Sequence, residues 1–410
     1  MSNLPAQKQE LVRYFTEGCK PQGKLTLGVE VEHFVTHTDG SPVTFEEVQR
    51  VMQEMQGTHD TPVYIDGLYM GYHNPLYSVS LEPACQLEIS IVPKTEVDDI
   101  LTIYRAFDTA LAIILAGHSL QAHTVGYHPT RRAEQLPLIP KKRYQAMDAY
   151  FQQTGSRGIQ MMRATASTHV CIDYYSEKDC VRKFRAACLL SPLFALLTDN
   201  AAMYQGLPNH TYGVRTHVWQ DVDHVRCGIP SCLMDETFGF DAYAELLLNT
   251  PLIVASRNGV TEEVGSRTAP EVYGPELTRN ELEHILSMVF FDVRLKSYLE
   301  IRVGDSMPAP YIAAYVQLIR AVFSSPAALE GVLRHYAGAT VADIEAARQA
   351  VCAHGYGAMV YGRPIMQELA WLLAQSKSRL ASAEERRLLD PFIHLVNERK
   401  TIREEDNEHE

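Results

Sequence analysis

No Cys-x-x-Cys pair occurs in the 410 residues, and the eight cysteines are scattered without a matching histidine pair, so the spacing describes neither a thiolate zinc site nor a disulfide framework. Scattered thiols are ordinarily small apolar core residues, and a reducing cytoplasm is the expected compartment. Basic runs are lacking too. The formal net charge is −13 with no Lys/Arg stripe, which would repel nucleic-acid phosphates and argues against a nucleic-acid partner. The longest apolar stretch, Thr109 to Gly117, falls well short of the roughly 20 residues a bilayer-spanning helix needs, so no membrane association is expected. The first ten residues lack the apolar run of a secretory signal, and export is not expected. Neither a Gly-x-x-x-x-Gly-Lys-Ser/Thr loop nor a Gly-x-Gly-x-x-Gly fingerprint is present, so a nucleotide site of the P-loop or dinucleotide-fold kind is not indicated. With no repeat, linker or low-complexity tract, one catalytic domain over residues 1–400 is the economical reading.

What remains is the composition of a folded protein, 46% apolar and 21% charged. Capping-box spacings at Thr44/Glu47, Ser176/Asp179 and Thr278/Glu281 start helices. From about 310 to 400 the pattern is almost wholly helical, and residues 401–410 read as a polar, solvated tail. Between the helices, four segments alternate with a period of two. Glu30 and Glu32 alternate with Val29 and Val31. Gln86, Glu88 and Ser90 alternate with Leu87 and Ile89. His169, Cys171 and Asp173 alternate with Val170 and Ile172, and Glu300 and Arg302 alternate with Leu299, Ile301 and Val303.

Four such strands predict a sheet with its apolar face on helices and a strongly acidic opposite face. Polar faces of half-buried strands are usually just solvated, and cross-strand pairing to Arg163, Arg215, Arg226 or Arg302 would also account for them. Neighbouring like charges on a sheet are destabilising, however, and a cation that neutralises them explains the cluster better. Several carboxylates with one imidazole are hard ligands suited to Mg²⁺ or Mn²⁺, and arginine beside them is the residue that steadies a phosphoryl group. On chemistry alone the reading is a metal-dependent phosphoryl-transfer enzyme, with a two-metal phosphate hydrolase and a non-enzymatic metal-binding protein as rivals.

Leu27–Phe34, Ser80–Ser90, Met161-Met-Arg163 and Val293-Arg-Leu-Lys-Ser-Tyr-Leu-Glu-Ile-Arg302 together resemble the glutamate–cysteine ligase family of plant and bacterial type. The resemblance extends in order over roughly residues 24–316, including Gly126-Tyr-His-Pro129, Ile139-Pro-Lys-Lys-Arg-Tyr144 and Trp219-Gln-Asp-Val-Asp223. It implies an α+β fold related to glutamine synthetase, in which a curved antiparallel sheet forms an active-site funnel with helices behind. It implies ATP as co-substrate, phosphorylation of the glutamate side chain, and formation of a γ-glutamyl amide with cysteine, the first step of glutathione-type thiol synthesis. A related carboxylate–amine ligase with another acceptor is the alternative. By motif position, Glu30, Glu32, Glu88 and Glu300 are implied as metal ligands with His169 as a further one, and Glu300 and Arg302 as catalytic. Arg302 and Arg163 are implied for nucleotide phosphates, and Arg215, Arg226 and Trp219 for substrate. The chain departs from the plant pattern at His169 and Cys171.

Overall fold

The computed structural model describes residues 3–257 and 260–406. Its centre is a nine-stranded sheet. In chain order the strands are β1 (Leu27–His37), β2 (Thr61–Ile65), β3 (Leu68–His73), β4 (Tyr77–Leu81), β5 (Leu87–Lys94), β6 (Leu120–His123) and β7 (Ser167–Ile172). A separate hairpin, β8 (Pro251–Arg257) and β9 (Val260–Thr268), precedes the last two, β10 (Val293–Leu295) and β11 (Leu299–Asp305). Their order across the sheet is β10-β11-β7-β1-β5-β4-β3-β2, with β6 paired to the far half of β1. The pairings are antiparallel throughout. Register breaks between Leu27 and Val29 on β1 and between Ile301 and Gly304 on β11 are bulges of the kind that bend a sheet.

The four alternating segments are β1, β5, β7 and β11. Cys85 itself lies before β5, at φ +67 in a turn, rather than in the strand. Val29, Val31, Leu87, Ile89, Val170, Ile172, Leu299 and Ile301 are buried on one face. The helices Val97–Gly117, Glu177–Leu197 and Ala309–Phe323 pack against that sheet. The first of them is longer than the apolar stretch in the sequence. At 21 residues it is the one described helix long and apolar enough to span a bilayer, yet Ile100, Leu101, Tyr104, Phe107, Leu111 and Leu115 are buried within the protein.

The capping boxes start helices where expected. Thr44 Oγ1 accepts from the Glu47 N–H (3.3 Å) while Glu47 accepts from the Thr44 N–H (2.8 Å), opening Phe45–Met55, and Thr278 and Glu281 do the same for Arg279–Leu286. Beyond Ala309 the chain is helical apart from a short two-stranded turn. The expected solvated tail is corrected at its beginning. Thr401, Ile402 and Arg403 are buried, and Ile402–Asp406 is helical, because Arg403 reaches inward to the carbonyls of Ala201 and Asn209, both at 3.2 Å. Residues 407–410 lie outside the described residues.

Candidate active site

Strand register assembles what the sequence distributes. Glu30 on β1 stands opposite His169 on β7, Glu32 opposite Glu88 on β5, and Glu300 on β11 opposite Cys171 on β7. Glu30, Glu32, Glu88, His169, Glu300 and Arg302 all line one cavity of about 470 Å³ on the sheet's uncovered face. Arg215 and Trp219, from the helix Val214–Trp219, form part of its wall, and Val254, Ser256 and Thr261 of the β8–β9 hairpin face it.

The carboxylates are in unlike electrical settings. Glu300 is fully buried and receives Arg294 Nε (2.7 Å), Arg302 Nη1 (3.0 Å) and Lys296 Nζ (3.1 Å). Burial alone would raise its pKa, but these three cations hold it well below the ordinary carboxylate range. Glu30 has the same balance on a smaller scale: burial opposes ionisation, and the 3.0 Å hydrogen bond from His169 Nδ1 together with the His169 and Lys296 charges outweighs it. His169 is pushed down to about 4 by burial and then by Arg302, so at neutral pH its ring is uncharged. With Nδ1 donating to Glu30, Nε2 accepts from Ser167 Oγ at 2.8 Å. Glu32 accepts the Ser167 N–H at 2.7 Å, yet burial and then the Glu82 charge push it up to about 7. Glu88, held by the Ser80 and Ser90 hydroxyls at 3.2 and 3.1 Å, is raised further by burial and by Glu30, Glu82 and Glu32.

The upward shifts of Glu32 and Glu88 come first from burial and then from neighbouring carboxylates, and a divalent cation between them would offset both. One oxygen each of Glu30 and Glu300 and the Cys171 sulfur lie within 4.8 Å of one another, and Glu32 faces Glu88 across the strand pair. A donor set dominated by carboxylate oxygen fits a hard cation.

Two residues implied for the site are elsewhere. Arg163 turns away from the cavity: its guanidinium pairs with both oxygens of buried Asp148 (2.8 and 2.6 Å) and with the Leu136 carbonyl (3.2 Å), tying the helix Gly158–Ala164 to Lys142–Thr154. Arg226 is fully buried and spent on Asp223 (2.8 Å), the carbonyls of Pro251 and Met288 (both 2.8 Å) and the Tyr150 hydroxyl (3.3 Å). Neither lines the cavity, so their placement for phosphate and substrate is corrected to structural ties. Arg215 differs: it is 6% exposed, its Nε has no partner, and its guanidinium carbon lies 5.4 Å from the Trp219 ring centroid. The cavity also holds Glu82, Lys141, Arg143, Arg294 and Lys296, which the motif reading did not single out.

The same face continues into a second lobe of about 420 Å³, lined by Tyr77, Ile91, Pro93, Cys171 and Tyr298, with Lys20 at its margin. Glu30 borders both lobes. Gly28 keeps this end of β1 low, since a Cβ there would meet that of Cys171 at 3.3 Å. The first lobe is rich in cations and holds the carboxylate cluster, the second is largely apolar, and Glu30 stands where they meet.

An antiparallel sheet thus carries a carboxylate cluster beside two adjoining pockets. The sequence matches glutamate-cysteine ligase family 2 over residues 26–401, and the chain belongs to that family. It is 30% identical over 368 residues to the chloroplastic glutamate–cysteine ligase of Medicago truncatula, covering 86% of this chain and 71% of that protein. It is 29% identical over 364 residues to the Brassica juncea enzyme, covering 85% and 70%. Its fold is shared with a crystal structure of the Francisella tularensis glutamate–cysteine ligase in complex with AMP, at a TM-score of 0.56 and 11% identity, covering 94% of this chain and 84% of the other. The expectation of a cytoplasmic protein is corrected by these plant relatives, which are chloroplastic. The eight cysteines are free, which records a lack of disulfides and does not identify a compartment.

Proposed function

We propose that the chain is an ATP-dependent glutamate–cysteine ligase working at the junction of the two lobes. The observation that carries this reading is that junction itself: Glu30, one of the acidic cluster lining the cation-rich lobe, also borders the apolar one. The apolar lobe, between Tyr77 and Tyr298, takes the nucleoside. The cation-lined lobe takes glutamate, its α-carboxylate on Arg215, whose Nε has no partner, with Trp219 beside it.

The chemistry follows from what a carboxylate lacks. An anion resists a nucleophile, so the γ-carboxylate oxygen first attacks the terminal phosphorus of ATP and ADP departs. The acceptor nitrogen then attacks the acyl carbon, phosphate leaves, and the nitrogen gives up a proton as the amide forms. Arg302, aligned by Glu300 at 3.0 Å, steadies the transferred phosphoryl group. Glu30, Glu32, Glu88 and Glu300 would hold Mg²⁺ or Mn²⁺, with His169 available as a further ligand. The bound metal would screen the repulsion between ATP and glutamate. Lys296 and Arg294 keep Glu300 ionised.

The test is phosphate release with ATP, Mg²⁺ and glutamate, with and without cysteine, followed by the product mass. Release that requires cysteine and yields γ-glutamylcysteine supports the reading. Phosphate release at the same rate without any amine would sink it.

A further inference from the structure

The first lobe holds one cation that neither the fold nor the reaction just described employs. The segment Ile139–Tyr144 lies against the turn between β4 and β5, through the Ile139 N–H to the Pro83 carbonyl (2.9 Å) and the Tyr144 hydroxyl to the Leu81 carbonyl (3.4 Å). This puts Lys141 on the β4/β5 side of the lobe, with Nζ 4.2 Å from the Tyr144 ring centroid. Among the described residues no carboxylate lies within ion-pair distance of it. The other cations there are accounted for: Arg294, Lys296 and Arg302 converge on Glu300, and Arg143 is bound to the hydroxyl and carbonyl of Ser287 at 2.9 and 3.0 Å. Arg215 and Lys141 are left over, both turned into the cavity.

A half-buried cation without an anion is costly, and burial pushes the Lys141 ammonium below its ordinary range even though Glu82 opposes the shift. The two leftover cations also enter the lobe from opposite sides. Arg215 touches the Val303 carbonyl on β11, whereas the Lys141 segment lies against the β4–β5 turn, and β7 and β1 run between those two strands. A ligand that satisfies both carries an anion at each end. Glutamate with a plain amine attached has one such end; glutamate joined to an amino acid has two.

We propose that Lys141 binds the carboxylate of the acceptor, and so restricts the acceptor to amino acids and excludes simple amines. This rests on the reading above that Arg215 takes the α-carboxylate of glutamate. Lys141 is then the specificity-determining residue for the second substrate, and the Tyr144 ring holds its ammonium in place.

The test compares cysteine with cysteamine, which has the same thiol and amine but no carboxylate. In the unaltered enzyme kcat/KM for cysteine exceeds that for cysteamine by on the order of 100-fold, the scale of a charge-assisted contact. Lys141→Gln removes most of that ratio by lowering the cysteine value, leaves cysteamine within about twofold, and leaves KM for glutamate and ATP unchanged, while Lys141→Arg retains the preference. An equal fall for both acceptors, or a raised KM for glutamate or ATP, overturns the assignment. So does a ratio near one in the unaltered enzyme, which needs no variant to fold. Arg215→Gln separates the two ideas: it raises KM for glutamate and spares the ratio. If it leaves KM for glutamate untouched, the placement of glutamate fails, and the inference about Lys141 fails with it.

Discussion

At the scale of single residues, Glu300 carries the most connections. Glu300→Gln keeps the shape but removes the charge on which Arg294, Lys296 and Arg302 converge. Turnover should fall by about 10²–10³-fold or more, since a lost electrostatic group at a phosphoryl-transfer site costs on that order. Strand alternation alone suggests the fold is indifferent to the change. The three converging cations say otherwise, and stability should drop by about 3 kcal/mol because those cations are left without an anion. Activity assayed well below the melting temperature, beside a urea titration, separates the two effects; wild-type turnover in the variant would remove Glu300 from the site. Arg302→Lys should be nearly as damaging to turnover, because an ammonium cannot both hold Glu300 and present a planar fork to phosphate oxygens. Unchanged ATP kinetics would contradict that role.

Residue-scale legibility was uneven for physical reasons. The acidic faces could be read because a strand's period of two is local, and it needs no knowledge of the partner strand. Arg294 had that visibility only through the β10–β11 pairing that sets it opposite Glu300, and Lys296 lies in the turn between those strands. Glu82 and Lys141 had none, since they lie in a turn and at a helix start whose docking is a tertiary event. Arg163 was misplaced because its partner Asp148 is fifteen residues away. Arg226 had its partner in plain sight, with Asp223 three residues before it.

At the scale of elements, the C-terminal helices carry no motif, yet one of them supports the site from behind. Arg348, on the helix Val341–His354, is buried and pairs with Asp292 at 3.1 Å and Glu345 at 2.7 Å. The Asp292 carbonyl in turn accepts the Arg302 N–H at 2.9 Å. Arg348→Met should leave Asp292 buried without its cation and cost about 3 kcal/mol. Chemical denaturation measures this, and Arg348→Lys should recover a good part of the loss. A loss below about 0.5 kcal/mol, the size of a surface pair, would show that the helix merely covers the sheet. The helical pattern predicted these elements; nothing in a helix period reveals which distant loop its buried arginine meets.

For the whole molecule, two buried acids make stability depend on pH. Asp305 at the end of β11 is pushed up to about 7 by burial and then by the Asp199 charge, and Asp199 up to about 6 by burial, with Arg403 opposing at 3.9 Å. Both values lie above the roughly 3.9 of an unfolded aspartate, so the folded state binds protons more tightly. The contribution of these groups is therefore most favourable at low pH and is lost as pH rises toward 6 and 7. Asp305→Asn should remove part of that dependence. Between pH 5 and 8 its stability relative to the parent should rise by about 2 kcal/mol. Urea midpoints at the two pH values check this, and parallel curves would show that the pair does not titrate in that window.

The facing pair Glu32 and Glu88 bears on more than turnover. A fold that sets two carboxylates against each other is under tension whenever nothing sits between them, so its durability is borrowed from whatever does. The protein should melt higher in millimolar Mg²⁺ than in EDTA, by about 2.7 kcal/mol where the ion is a hundredfold above its dissociation constant. Glu88→Gln should flatten that difference, and scanning calorimetry at several Mg²⁺ concentrations would show it. In a living compartment the amount of folded protein would then follow the local supply of the cation, which makes abundance, and not rate alone, a readout of mineral status.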